Sequence, residues 1–190
     1  MNLNIITPVS RPGNLRAIKN SIGWHNLPVR WIVVGEQGLS WIITPGCYPD
    51  TITLLGAKTA PAGHAHRNVT IDFIGNTSDW IMSLDDDNIL HPDLIPWLEA
   101  NKELLENYEV VIFDQVNKYG ALRLQARPDM VAPNCIDTAQ YMWRGRAAEG
   151  IRFREDLYNA DGYFIEEVYQ RNKDKTLFVN QPLCYYNYLR

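Results

Sequence analysis

Two rhythms of apolar residues run through the 190-residue chain. Short continuous apolar runs bounded by turn residues read as buried strands: Leu3–Thr7, Val29–Val34, Trp41–Thr44, Thr51–Leu55, Trp80–Leu84, Glu109–Asp114, Ala121–Gln125, Thr176–Val179 and Cys184–Tyr188. Between them, spacings of three and four predict helices. Leu15, Ile18 and Ile22 mark one over Asn14–Gly23, and a second is expected over His66–Ile74. A third starts at Pro92 and Asp93 and runs to about Glu106, because a proline and an acid suit a first helical turn. Phe164, Val168 and Tyr169 mark a fourth over Tyr163–Asn172. From Ala126 to Gly150, Pro128, Pro133, Gly145 and Gly150 break every period, and Arg144, Arg146 and Arg152 bring positive charge. The less regular half of a site is expected there. The opening order of strand, helix, strand, strand favours a parallel sheet with helical crossovers, an α/β domain.

One stretch organises the rest. The apolar run Trp80, Ile81, Met82, Leu84 passes directly into Asp85, Asp86, Asp87 and Asn88. If the strand persists, Asp85 and Asp87 point one way and Asp86 the other. Two carboxylates about 4 Å apart repel by roughly 4 kcal/mol at an effective dielectric near 20, so such a cluster calls for a cation. A hard divalent ion with oxygen ligands fits. In open α/β sheets ligands bind beyond the carboxyl ends of strands, where this triplet stands. An EF-hand loop starting at Asp85 is excluded, because its sixth position requires glycine and Leu90 stands there. His64, His66 and His91 suggest a metal cluster only weakly, since His64 and His66 do not share a helical face and no cysteine is near.

Composition narrows the function classes. With 46% apolar and 21% charged residues the chain can bury a sizeable core. A net charge of -4 argues against a dedicated nucleic-acid binder. Six tryptophans and ten tyrosines serve mostly as core, with Trp143 and the closing tyrosines as candidate sugar platforms. Cys47, Cys135 and Cys184 are odd in number and form no CxxC, which fits reduced thiols. The opening MNLNIITPVSRPG lacks a basic stretch and does not read as a signal peptide. No apolar run reaches membrane-spanning length. The expected compartment is the cytoplasm.

ITPVSRP after the first strand, GHAHRN at a helix start, SLDDDN, NADGYFIEE and the closing PLCYYNYLR occur in an order that resembles the GT-A-fold glycosyltransferases of the inverting type. The likeness covers nearly the whole chain. It implies a single Rossmann-like domain over 1–190 with a mostly parallel central sheet flanked by helices. Residues 1–90 would form the nucleotide-sugar half and 91–190 the acceptor and catalytic half. It also implies transfer of a sugar, with inversion, from a UDP- or dTDP-type donor to the hydroxyl of a glycan or small-molecule acceptor, with Mn²⁺ or Mg²⁺ as cofactor. Asp85-Asp86-Asp87 matches the family's DxD motif.

The resemblance assigns roles residue by residue. Thr7, Pro8 and Val9 would line the base pocket, with Ser10 and Arg11 close by. Glu36 would take the family's acid for the base, although VVGEQG departs from the usual Asp-rich turn. Arg67 would stand near the diphosphate. Asp85 would approach the ribose, with Asp86 beside it in the donor site. Asp87, with Asp85, would bind the metal. Asp161 would be the catalytic base, with Glu166 or Glu167 as alternates because ADG departs from the usual Gly-Glu-Asp. Two other readings remain open: a sugar-phosphate nucleotidyltransferase, for which the single glycine of ITPVSRPGN is a thin signal, and a non-catalytic nucleotide-sugar-binding module. Release of UDP, release of pyrophosphate, or binding without turnover separates the three.

Overall fold

A computed structural model describes residues 1–23, 26–36, 51–56 and 63–190; the side chains of Glu36 and of 51–56 are outside the description. The expected strand at Trp41–Thr44 lies outside the described residues. Among the described residues eight strands form one sheet: β1 (Leu3–Pro8), β2 (Val29–Glu36), β3 (Thr51–Gly56), β4 (Trp80–Ser83), β5 (Val110–Asn117), β6 (Leu122–Leu124), β7 (Tyr141–Arg144) and β8 (Thr176–Tyr186). Their order is β3-β2-β1-β4-β7-β5-β6, with β8 beside β5. Pairings β1–β2, β1–β4, β2–β3 and β5–β8 are parallel, whereas β4–β7, β5–β7 and β5–β6 are antiparallel. The sheet is thus mixed, with parallel pairing four to three, because β7 runs against both its neighbours.

Side-chain alternation along the strands supplies two cores, one on each face. Leu3, Ile5, Trp31, Val33, Trp80, Met82, Val111 and Phe113 pack on one face with helices α1 (Leu15–Ile22), α3 (Leu94–Ala100) and α4 (Lys102–Leu105). Ile6, Ile32, Val34, Ile81, Ile112, Tyr141 and Trp143 pack on the other with α2 (His64–Ile74) and α5 (Ala160–Arg171).

Three boundaries differ from the periodicity. The helix expected up to Glu106 breaks at Asn101, whose side-chain amide donates to the Trp97 carbonyl at 2.8 Å and competes with the backbone ladder. The two closing strands are one, because Pro182 falls at an irregular register opposite Asp114, where its missing N–H costs nothing. The buried strand β7 lies inside the segment with no visible period, hidden by its flanking breakers.

Candidate functional site

The sheet's connectivity fixes where a site can form. From β1 the order runs through β2 to β3 on one side, and β4 lies on the other, so the direction of winding reverses between β1 and β4. The crevice beyond the carboxyl ends of strands at such a reversal is where open α/β sheets bind ligands. Into it come the loop after β1, the acidic turn after β4, the first turns of α2 and α5, and the approach to β7 (Asp137–Gln140).

The acidic triplet does not remain extended. The chain turns at Asp86 and Asp87, with the Asn88 N–H donating to the Asp85 carbonyl at 3.0 Å. This corrects the expected strand alternation and gives each carboxylate its own partner. Asp85 pairs with Arg67 and keeps 38% of its side chain exposed. Asp86 is buried and accepts from the backbone N–H groups of Ser10 and Arg11, from the Ser10 hydroxyl at 3.0 Å and from the Arg11 guanidinium. Asp87 is buried beside Arg190 Nη2 at 2.6 Å and Arg11 Nη1 at 3.5 Å. Burial, and then the charge of Asp85, push the Asp87 pKa above the ordinary carboxylate range.

Asp86 therefore fastens the β1 loop to the β4 turn, and Ser10 and Arg11 are held there by it. Thr7 is fully buried, its hydroxyl accepting from the Trp31 indole at 3.0 Å, and Val9 is buried with its N–H on the Val34 carbonyl at 2.8 Å. Pro8 packs against Gly63 at the start of α2: a Cβ on Gly63 would lie 2.6 Å from Pro8 Cβ. Glu36 ends β2 at the same edge, its side chain outside the described residues.

Arg67 is a fully buried cation in the first turn and a half of α2. Besides Asp85 it donates from Nε to the Ser83 hydroxyl at 2.8 Å and from Nη1 to His64 Nδ1 at 3.2 Å. His64 in turn donates from Nε2 to the Tyr158 carbonyl at 3.1 Å, which selects one neutral tautomer. Burial and the neighbouring Arg67 lower the His64 pKa, in keeping with that neutral form.

Asp161 lies in the first turn of α5. Its Oδ2 accepts from Thr138 Oγ1 at 3.2 Å and its Oδ1 from the Gly162 N–H at 2.9 Å, while Tyr141 Oη donates to its backbone carbonyl at 3.3 Å. Burial raises the Asp161 pKa; Arg67 and His64 face it and pull the other way. Of its two alternates, Glu167 pairs with Arg171 on the exposed face of α5, and Glu166, five positions on from Asp161, falls on a different helical face.

Sequence reasoning missed Asp137, Thr138 and Tyr141. Asp137 caps the short turn Thr138–Gln140, which closes as a reciprocal box with Gln140. The pattern Asp-x-x-Gln was the available signal. Burial and Asp85 push its carboxyl up to about 6. The arginines expected from the same segment lie elsewhere: Arg144 donates to the carbonyls of Ser78, Leu105 and Tyr108, Arg146 pairs with Glu109, and Arg152 pairs with Asp72. Trp143 is core, stacked edge-on against Phe164.

Among the described residues no group of three or more His, Cys, Asp or Glu side chains is arranged to enclose a metal ion. His66 is buried in α2 and His91 lies tilted against Tyr185, and among the described residues the histidines form no metal cluster. The donor set still suits one kind of ion. Magnesium-type cations are held by one or two carboxylates with substrate phosphates and water completing the shell. Asp85 and Asp87 would be the carboxylates for such an ion, which would relieve the mutual charge that adds to burial in raising the Asp87 pKa. Among the described residues no helix is long and apolar enough to cross a membrane.

This arrangement of sheet, switch-point crevice and acidic turn is the GT-A fold, and solved structures match it. TarS from S. aureus, residues 1-349, superposes with a TM-score of 0.75 at 15% identity over 97% of this chain and 60% of that one. The same protein in complex with UDP-GlcNAc gives 0.75 at 14% identity over 98% and 58%. Glucosyl-3-phosphoglycerate synthase from Mycobacterium tuberculosis in complex with Mn²⁺, UDP and glucosyl-3-phosphoglycerate gives 0.65 at 16% identity over 96% and 71%. The chain thus spans about 60% of the length of the TarS 1-349 structures. No protein-family model and no curated protein sequence matches the chain.

Proposed function

We propose that this chain is a nucleotide-sugar glycosyltransferase that transfers a hexosyl group, with inversion, from a UDP-type donor to an acceptor hydroxyl. The observation that carries the reading is the meeting, at the β1/β4 reversal, of the acidic turn, the buried Arg67 and the separate acid Asp161. The fold shared with TarS in complex with UDP-GlcNAc, and with the mycobacterial synthase in complex with UDP and Mn²⁺, supports the donor class.

The roles follow from chemistry. A nucleoside diphosphate leaves only if its developing charge is met. When bound, Mg²⁺ or Mn²⁺ held by Asp85 and Asp87 supplies Lewis-acid neutralisation of the diphosphate. Arg67, beside Asp85 at the start of α2, adds a fixed positive charge and a helix N-terminus on the same side. The β1 loop, pinned by Asp86, forms one wall for the nucleoside. Asp161 takes the acceptor's hydroxyl proton while that oxygen forms a bond to the anomeric carbon. The bond from that carbon to the diphosphate oxygen breaks on the opposite face. A raised carboxyl pKa suits a base working near neutrality, a contribution of roughly 10²–10⁴ in rate. Thr138, donating to Asp161, holds the carboxylate in place.

Calorimetry with UDP and Mn²⁺, paired with donor-consumption assays, tests the reading. Asp87→Ala is expected to abolish the Mn²⁺-dependent part of UDP binding. Asp161→Ala should bind UDP as wild type does and lose transfer. Equal UDP affinity in wild type and Asp87→Ala overturns the metal assignment, and transfer surviving in Asp161→Ala removes the base from that residue.

A further inference from the structure

Thr138, which donates to Asp161 at 3.2 Å, directly follows Asp137, a second carboxylate that the reaction above does not use. Asp137 Oδ1 is committed: it accepts from Gln115 Nε2 at 3.0 Å and from the Ala139 N–H at 3.2 Å. Its Oδ2 has one long contact, Arg123 Nη1 at 3.4 Å, and a fifth of the side chain is open to solvent. Arg123 is fixed in turn. Its guanidinium carbon lies 3.5 Å from the centre of the Tyr186 ring, and Nη1 also donates to Gln115 Oε1. Among the described residues its Nε and Nη2 have no partner, and about a third of the side chain is exposed. Gln140, fully buried and accepting the Asp137 N–H, also has an unpartnered Nε2. Thr138, between Asp137 and Gln140, touches the proposed base.

Resting on the glycosyltransferase reading, we propose that Asp137 and Arg123 form the acceptor subsite and select an uncharged acceptor carrying adjacent hydroxyls. The open Asp137 Oδ2 accepts a hydrogen bond from one hydroxyl, and the free edge of Arg123 donates to a neighbouring hydroxyl oxygen. Such a carboxylate–guanidinium pair matches two hydroxyls on adjacent carbons of a polyol or sugar ring. Stacking on Tyr186 orients the guanidinium before the acceptor arrives. The charge balance excludes an acidic acceptor. The charged groups facing Asp137 are Arg123 from β6 and Asp85 from the acidic turn; Asp161 lies beyond Thr138, and Gln115 and Cys184 from β5 and β8 bring no cation. Two arginines, one of them already paired with Asp85, stand against three carboxylates, so the excess charge is negative and a phosphate or carboxylate on the acceptor is repelled. In this the chain would differ from the mycobacterial synthase, whose complexes contain phosphoglyceric acid.

The experiment uses Mn²⁺ with UDP-glucose and UDP-GlcNAc, glycerol as the neutral probe and 3-phosphoglycerate as the acidic one. Product NMR gives the ratio of transfer to hydrolysis. Wild type is expected to pass sugar to glycerol in preference to water and to leave 3-phosphoglycerate unused. Asp137→Asn, which keeps the Gln115 contact and removes the open acceptor, should lower the glycerol ratio about tenfold, and Arg123→Met should do the same. UDP affinity and hydrolysis should stay within about threefold, showing that both variants fold. Preference for 3-phosphoglycerate, no transfer to glycerol, or an unchanged ratio in both variants overturns the subsite. A wild type that neither binds UDP nor consumes either donor brings down the glycosyltransferase reading itself, and is recognised before any variant is made.

Discussion

Arg67 and Asp85 form a pair whose two members are unequally placed: the guanidinium is fully buried and the carboxylate is partly open. Deleting one partner of a buried pair is costly chiefly because the other charge is left without compensation, about 3 kcal/mol or more. Asp85→Ala takes from the buried cation the acid with which it forms an ion pair, while Arg67→Met leaves an acid that water can reach. Asp85→Ala should therefore cost about 3 kcal/mol and Arg67→Met about 1–2 kcal/mol, measured as urea midpoints at constant slope. A reversed order would mean that Asp161, the next acid to face Arg67, carries the compensation instead. The acids of this site were partly legible in the sequence. Asp85–Asp87 announced themselves by an abrupt change after a buried strand, whereas Asp161 was singled out only by the resemblance. What could not be read was that Asp86 turns back onto the Ser10 and Arg11 amides, because a turn within an acidic run leaves no periodic trace.

Among the elements, α2 carries the most positional demand. It must start close against the β1 loop so that Arg67 and His64 reach the crevice. Gly63, immediately before it, has φ +73 and abuts Pro8. A side chain there meets both a disfavoured backbone region and a collision with a rigid ring. Gly63→Ala is expected to cost about 2–3 kcal/mol in thermal or urea unfolding and to weaken UDP binding by moving the helix start. Ala at Gly75, which also has positive φ but no neighbour within 4 Å, should cost about 1–2 kcal/mol and leave UDP binding unchanged. The strands and helices that carry the crevice were visible as apolar runs and three-four spacings. The approach to β7 was not, since Pro128, Pro133 and Gly145 crowd it and tertiary pairing with β4 and β5 decides its conformation. That is why Asp137 and Thr138 escaped notice while the less useful arginines beside them drew it.

At the scale of the whole molecule, the crevice concentrates carboxylates that the fold would rather keep protonated. Asp87, Asp137 and Asp161 all have raised pKa values, each chiefly through burial. For an acid of this kind the native state holds its proton more tightly than the unfolded chain does. Stability attributable to it is therefore greatest at low pH and is lost as pH rises through the native value. For Asp137 the window runs from the ordinary aspartate value of 3.8 to about 6. A shift of about two units corresponds to roughly 3 kcal/mol at most, and partial exposure reduces this to about 1–2 kcal/mol. His64 and His91, lowered by burial, oppose the trend, losing stability as pH falls below 6.5. The isosteric Asp137→Asn isolates one contribution, since both proteins contain the same histidines. Its stability advantage over wild type should be about 1–2 kcal/mol at pH 7.5 and vanish near pH 4, read from urea unfolding at each pH. A difference independent of pH would show that the carboxyl is no harder to ionise in the fold than out of it. A gain at neutral pH, paired with loss of transfer to an acceptor, would identify the acid as a residue the chain keeps at the expense of its own stability.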